Sequence, residues 1–176
     1  MAKNAGKNYF FALIPDLSGL LDELQKLQGI KNITTTLPLH LTLFYFGELN
    51  PINNKRVDQY FARLPEKLTD KITLQVRGID SFKDGQGKDT VFFLTVDSEN
   101  VRKIHQELFS LFHDIHTDTF DFVPHISLAF PQKGITQQNV ADIHRLFSGV
   151  HELSCNQFAL ASVDGQAIQV EKALLL

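Results

Sequence analysis

Two short segments of the chain each place a histidine two positions before a hydroxyl residue. His40 precedes Thr42 within LPLHLTLFYFGE, and His125 precedes Ser127 within FVPHISLAFP. Side chains at positions i and i+2 of a β-strand point to the same face, so each segment would present an imidazole and a hydroxyl together. The opposite face carries Leu39, Leu41 and Leu43 in the first segment and Ile126 and Leu128 in the second, and their burial would fix the register. The sequence therefore predicts two similar polar pairs that face away from the core.

A matched pair of histidines is suited to proton transfer near neutral pH. Because the imidazole pKa is about 6.5, one ring can accept a proton while the other donates one. In-line attack on a phosphodiester requires both transfers, and the neighbouring hydroxyls can donate hydrogen bonds to the non-bridging oxygens. This chemistry needs neither a metal nor a cofactor. The other histidines show no His-Glu-x-x-His spacing, so no metal site is expected.

The elements predicted around the two segments occur twice. A strand-helix-strand-helix-strand pattern runs through 8–82 and again through 90–163, with equivalent positions 82 to 85 residues apart and a closing strand at 166–176. Two copies packed about an approximate two-fold axis would bring His40 and His125 together across a cleft. Either histidine alone is more often a structural residue than a catalyst. The repeat is therefore the observation that favours catalysis.

Helical periodicity predicts the four connecting helices at 17–28, 53–68, 98–115 and 136–147. Asp16 or Ser18 is expected to cap the first helix, Ser98 the third and Thr136 the fourth. Pro65 is expected to break the last turn of the second helix.

Composition limits the classes of partner. The chain has 176 residues, 43% of them hydrophobic, a net charge of −3 and a pI of about 6.1. Without overall basic character it is not expected to bind long duplex nucleic acid, so a nucleic-acid substrate should be short or held by its end. The single cysteine, Cys155, excludes an internal disulfide and favours the cytoplasm. The apolar run near the N-terminus spans six residues, too few for a membrane span.

The two motifs, HLTL at 40–43 and HISL at 125–128, with YFFALIP near the N-terminus and FGE after the first motif, resemble the two-histidine phosphoesterase superfamily. The branch they resemble most is that of the bacterial 2′-5′ RNA ligase-like proteins, or RNA 2′,3′-cyclic phosphodiesterases. The resemblance covers nearly the whole chain, 1–176, as one domain. It implies an α+β fold of two pseudo-symmetric lobes, each an antiparallel-rich sheet with helices on its outer face, around a central cleft.

The resemblance also implies a reaction and its residues. The reaction is metal-independent hydrolysis of a 2′,3′-cyclic phosphodiester, in a nucleotide or a short RNA, to a 2′-phosphate. By motif position, His40 would donate a proton to the leaving 3′ oxygen and His125 would activate water. Thr42 and Ser127 would bind the phosphate. The chain is expected to act as a monomer and without a cofactor.

This chain departs from the RNA-processing branch where arginines are usual. An arginine often follows the second motif closely, but here the position is Phe130, followed by Pro131, and the closing hairpin SVDGQAIQVEK has no arginine. Fewer guanidinium groups mean fewer bidentate phosphate contacts. Phe10 and Phe44 are candidates for stacking on a base, with core packing as the alternative for each.

Other functions remain open on the sequence alone. The same residues could act as a 2′-5′ phosphodiesterase or a 2′-5′ RNA ligase, or the chain could be a nucleotide-binding domain without activity. Intact motifs in both halves count against the last alternative. The sequence leaves open the base, the length of the substrate and the pathway.

Overall fold

Helices and strands alternate along the chain in the order that the repeat predicts. The structure is a computed structural model and describes residues 6–35, 37–68, 71–116, 121–165 and 167–176. The strands are β1 Asn8–Pro15, β2 Ile33–Thr34, β3 Leu41–Glu48, β4 Ile72–Lys83, β5 Asp89–Asp97, β6 His125–Pro131, β7 Glu152–Asp164 and β8 Ala167–Leu175. The helices are α1 Leu21–Gln28, α2 Pro51–Arg63, α3 Glu99–Phe112 and α4 Gln137–Phe147. None of the helices in these ranges is long and apolar enough to span a bilayer.

Most of the predicted elements are confirmed, and the differences are the short strand β2, which lies in a predicted connection, and the ends of some helices. Helix α1 begins at Leu21 and not at residue 17, because the preceding residues form a turn in which the Leu20 N–H donates to the Leu17 carbonyl. Helix α2 ends at Arg63 and is followed by a 3₁₀ turn, Leu64–Glu66, that contains the expected helix breaker, Pro65. Gln166, the first residue of the predicted closing strand, lies outside the described residues.

The strands form an antiparallel sheet whose pairings close into a circuit. Strand β1 pairs with β3 and β7, and strand β5 pairs with β6 and β4. Contacts of β3 with β6 and of β4 with β7 join the two sets, while β8 pairs with β7 and β2 with β6. The predicted α+β class with antiparallel strands is confirmed. The third strand of each sequence repeat pairs with the first strand of the other repeat.

Apolar residues of both faces of β1 are buried, as its continuous apolar run predicts. Phe11 and Leu13 belong to the main core, which contains residues of all four helices and of both repeats. Phe10 and Ala12, on the other face, pack with Ala161 in a smaller cluster. This smaller cluster lies on the face of the sheet away from the main core.

Candidate active site

The two histidine segments meet where β3 pairs with β6. Leu41 lies opposite Ile126 in this antiparallel pair. His40 comes directly before β3, and His125 is the first residue of β6. Continuing the register by one residue on each side makes the two histidines diagonal neighbours, which are typically about 7–8 Å apart, with their Cβ atoms somewhat closer. The predicted meeting of the two histidines thus follows from the strand pairing.

The same register places a hydroxyl group beside each imidazole. Extended by one residue on each side of the Leu41–Ile126 pair, the antiparallel register would set Ser127 opposite His40 and Thr42 opposite His125. Both hydroxyl residues are half-buried and line a cavity together with His40. Within the described ranges neither hydroxyl has a hydrogen-bond partner in the protein, so both are available to a ligand.

Each imidazole is oriented by the carbonyl of the residue two positions before it. His40 Nδ1 lies 2.9 Å from the Pro38 carbonyl oxygen, and His125 Nδ1 lies 2.7 Å from that of Val123. A carbonyl only accepts hydrogen bonds, so Nδ1 carries the proton in both rings. Nε2 of each neutral ring is therefore the atom that can accept a proton. Sequence reasoning did not identify these carbonyl partners, because no motif marks them.

The electrostatic setting of His40 favours its neutral form. Burial lowers the pKa of His40 from 6.5, the bond to the Pro38 carbonyl acts in the opposite direction, and the charge of His125 lowers the pKa further. The Phe10 ring lies 5.1 Å from the His40 ring and contributes to its burial. In the unliganded protein at neutral pH, His40 is therefore mainly uncharged.

Two chambers adjoin the seam between β3 and β6. The His40 chamber, about 410 Å³, is lined by Phe10, Thr34, Thr35, His40, Thr42, Tyr45, Ser127, Phe130, Val163, Gly165 and Ile168. The His125 chamber, about 690 Å³, is lined by Thr42, Leu43, Phe44, Tyr45, Phe82, Lys83, His105, Phe109, Asp121, Phe122, Val123 and His125. Thr42 and Tyr45 line both chambers.

Sequence reasoning missed Tyr45. The register between β1 and β3 shifts at Leu43, because Phe11 lies opposite Phe44 whereas Ala12 lies opposite Thr42. This extra residue breaks the alternation of side chains, so Tyr45 and Thr42, three positions apart, both reach the cleft. Burial and the negative charge of Glu48 raise the pKa of Tyr45, so its hydroxyl remains a hydrogen-bond donor at neutral pH.

The two aromatic candidates for base stacking are both largely enclosed. Phe10 and Phe44 each line a chamber but are only 4% exposed. Stacking by either ring stays a prediction. Two other rings of the His125 chamber, Phe82 and Phe109, are 40% and 42% exposed and offer more surface to a ligand.

Clusters suited to a metal ion are not found in the described part of the chain, where no three or more His, Cys, Asp or Glu side chains are so arranged. Burial raises the pKa of the Cys155 thiol to about 12. The thiol is therefore protonated at neutral pH and is a poor nucleophile.

Comparison with known proteins gives a family and several similar folds. The model of the 2′-5′ RNA ligase superfamily matches residues 15–167. The structure of TT0787 from Thermus thermophilus has a TM-score of 0.66 at 19% identity, covering 96% of this chain and 97% of its own. E. coli LigT has a TM-score of 0.62 at 15% identity, covering 97% and 98%.

A more distant structure, Usb1 from Kluyveromyces marxianus, covers 100% of both chains with a TM-score of 0.52 at 13% identity. At these identities the three structures show a common fold. No curated protein sequence matches the chain.

Proposed function

Because the chain belongs to the 2′-5′ RNA ligase superfamily, we propose that it hydrolyses a 2′,3′-cyclic phosphodiester of a nucleotide or short RNA to a 2′-phosphate. The observation that carries the proposal is the convergence of two similarly oriented imidazoles, each beside a free hydroxyl, at the seam between β3 and β6. This arrangement supplies one proton acceptor and one proton donor on a bound phosphate.

The reaction is an in-line displacement at phosphorus. Nε2 of neutral His125 accepts a proton from water as the water oxygen attacks phosphorus. The bond from phosphorus to the 3′ oxygen breaks, and Nε2 of protonated His40 gives its proton to that oxygen. Thr42, Ser127 and Tyr45 donate hydrogen bonds to the non-bridging oxygens, which carry the negative charge in the transition state. Each of the two proton transfers can contribute about 10²- to 10⁴-fold to the rate.

Binding of the substrate would give His40 the proton that this role requires. His40 is mainly neutral in the free protein, because burial lowers its pKa. A phosphate charge about 4 Å from the ring favours the imidazolium by roughly 4 kcal/mol at an effective dielectric constant of about 20. The anionic substrate therefore charges its own proton donor.

Ligands of proteins with the same fold support a nucleotide substrate. One structure of E. coli LigT contains 3′-AMP and another contains phosphate. A structure of Kluyveromyces marxianus Usb1 contains uridine monophosphate. By analogy, the phosphate of a nucleotide would lie between His40 and His125.

The size of the His125 chamber favours a second candidate function. Attack by water needs little space beside His125, yet this chamber has a volume of about 690 Å³ and aromatic walls. A nucleoside hydroxyl bound there could replace water. The same residues would then cleave or form a 2′-5′ phosphodiester, since the reverse reaction passes through the same transition state.

A substrate panel tests the proposal. It contains 2′,3′-cyclic nucleotides, a 2′-5′-linked dinucleotide and RNA ending in a cyclic phosphate, with products identified by chromatography. We expect a 2′-phosphate from the cyclic substrates, with activity that survives EDTA.

The variants His40→Ala and His125→Ala should each lose several orders of magnitude in activity. The double variant should lose little more, because both groups act on one transition state. His144→Ala, an exposed histidine on α4, is the matched control.

The hydroxyl residues should give an intermediate loss. Thr42→Val and Ser127→Ala each remove one donor to the phosphate but keep both imidazoles, so we expect a roughly 10- to 1000-fold lower kcat. Near-normal turnover of either histidine variant, or a requirement for an added metal ion, would overturn the mechanism. Tight nucleotide binding without turnover would instead identify a binding domain.

A further inference from the structure

The two chambers contain almost no positive side chains. In the described part of the chain, the only Lys or Arg lining either chamber is Lys83. Its Nζ lies 2.7 Å from Asp89, so its charge is already paired. Asp121, also in the His125 chamber, adds a negative charge. Apart from the imidazoles of His40, His105 and His125, the described lining of the cleft therefore has no net positive charge to offer a ligand.

Hydroxyl groups take the place of cations in the His40 chamber. Among the residues that the structure describes, its polar lining apart from His40 consists of the side chains of Thr34, Thr35, Thr42, Tyr45 and Ser127. A hydroxyl can donate a hydrogen bond to a phosphate oxygen but supplies no counter-charge. The two histidines can carry the single positive charge that one phosphodiester needs. A second phosphate on the same ligand would have hydrogen-bond donors but no counter-ion.

The remaining surface of the cleft is suited to an uncharged aromatic group. Phe82 and Phe109 expose 40% and 42% of their surface at the His125 chamber. Phe130, half-buried, lines the His40 chamber. Base stacking on such rings contributes binding energy that does not depend on charge.

We propose that this cleft selects phosphodiesters with a single negative charge, and that a further phosphate on the ligand weakens binding and turnover. The substrate class is then a small nucleoside 2′,3′-cyclic phosphate with a free 5′ hydroxyl, recognised by hydroxyl groups and ring stacking. This inference rests on the proposed function for its reaction. Phe130 is the specificity-determining residue, because it contributes an uncharged ring to the wall of the His40 chamber.

The test compares two substrates that differ by one phosphate. Adenosine 2′,3′-cyclic phosphate is assayed with a free 5′ hydroxyl and with a 5′-phosphate, which carries about −1.5 to −2 charge at pH 7. For the wild-type protein we expect kcat/KM to be at least about tenfold higher for the 5′ hydroxyl compound, because the 5′-phosphate of the other compound would be bound without a counter-ion. Phe130→Arg should reduce this preference or reverse it.

Three controls separate charge from other effects. Phe130→Leu changes the size of the side chain without adding charge and should keep the preference. Ile52→Arg adds the same charge at a residue that is 74% exposed on α2 and lines neither chamber, and it should also keep the preference. The KM of the wild-type protein for the 5′ hydroxyl compound should change less than about twofold between 50 and 300 mM salt, since few ion pairs are screened. This salt dependence is measured on the wild-type protein alone, so it does not depend on whether a variant folds.

Equal or faster turnover of the 5′-phosphorylated compound by the wild-type protein would overturn the proposal. So would a steep rise of KM with salt. If neither compound is turned over, the proposed function fails, and NMR titration of the wild-type protein with the same two compounds still decides the charge preference. Weaker binding of the 5′-phosphorylated compound would then support the proposal, and equal or tighter binding would overturn it.

Discussion

The two histidines share a local geometry but not an environment. Each Nδ1–H donates to a carbonyl two residues earlier in the chain. His40 is packed against Phe10, whereas Phe82 and Phe93 lie 5.0 and 5.2 Å from the His125 ring. Burial lowers the pKa of His40, which makes its charge sensitive to whatever binds beside it.

The pH dependence of the rate should reveal this sensitivity. In the free protein the protonated fraction of His40 falls as the pH rises through a pKa below 6.5. Because the proposed mechanism requires a protonated His40 as the donor, kcat/KM should begin its alkaline fall below pH 6.5. A phosphate charge bound beside the ring would raise the pKa of His40, so the alkaline fall of kcat should lie at higher pH. Steady-state measurements of kcat/KM and kcat from pH 4.5 to 9 check both alkaline falls.

A titration of the imidazole signals by NMR gives the direct measurement. The charge of His125 is one cause of the lowered pKa of His40, so His125→Ala should raise that pKa. His144→Ala, far along the chain on an exposed helix face, should leave it unchanged. An unchanged or lower pKa of His40 in His125→Ala would show that the two rings do not interact.

Sequence alone predicted the residues whose position depends on simple alternation. His40 with Thr42 and His125 with Ser127 follow the two-residue period of a strand, and the structure brings them to one seam. Tyr45 was missed, because the bulge at Leu43 changes which side chains reach the cleft. A bulge depends on how the neighbouring strand pairs, and the local sequence does not record that pairing.

The beginnings of two helices also show that a local sequence pattern predicts some contacts correctly and others not. Thr136 caps α4 in a capping box, since its side chain accepts from the Asn139 N–H and the Asn139 side chain accepts from the Thr136 N–H. Ser98 occupies the corresponding position of α3 but makes no capping hydrogen bond with its side chain. The sequence pattern predicted both caps, yet only the Thr136 side chain forms the expected hydrogen bond.

This difference predicts unequal costs for two similar substitutions. Thr136→Ala should lower the free energy of unfolding by about 1 kcal/mol, as is typical for the loss of an N-cap. Ser98→Ala is the matched control and should cost less than about 0.5 kcal/mol, because no capping hydrogen bond is lost. Urea unfolding followed by circular dichroism measures both. Equal costs would mean that Ser98 caps α3 in solution.

At the scale of the whole molecule, the strands of each sequence repeat do not pair only with strands of the same repeat. Strand β7 of the second repeat lies beside β1, and β4 of the first repeat lies beside β5. The repeat predicted two related halves, and the equivalent pairings of β1 with β3 and β5 with β6 are consistent with it. The exchange of the third strands could not be predicted, because a repeated pattern does not say which copy of a strand pairs with which neighbour.

Exchange of the third strands should make the two halves unfold together. Leu74 on β4 is 0% exposed and lies opposite Leu153 of β7, where the two halves join. Leu74→Ala should cost roughly 2–5 kcal/mol. Calorimetry should show one unfolding transition in the wild-type protein and in this variant, and hydrogen exchange should lose protection equally in β1 and β5. Ile52→Ala, at a residue 74% exposed, is the control and should change neither measurement. Two separate transitions, or lost protection in β5 with β1 unaffected, would show that each half is stable by itself and that the strand exchange does not couple them.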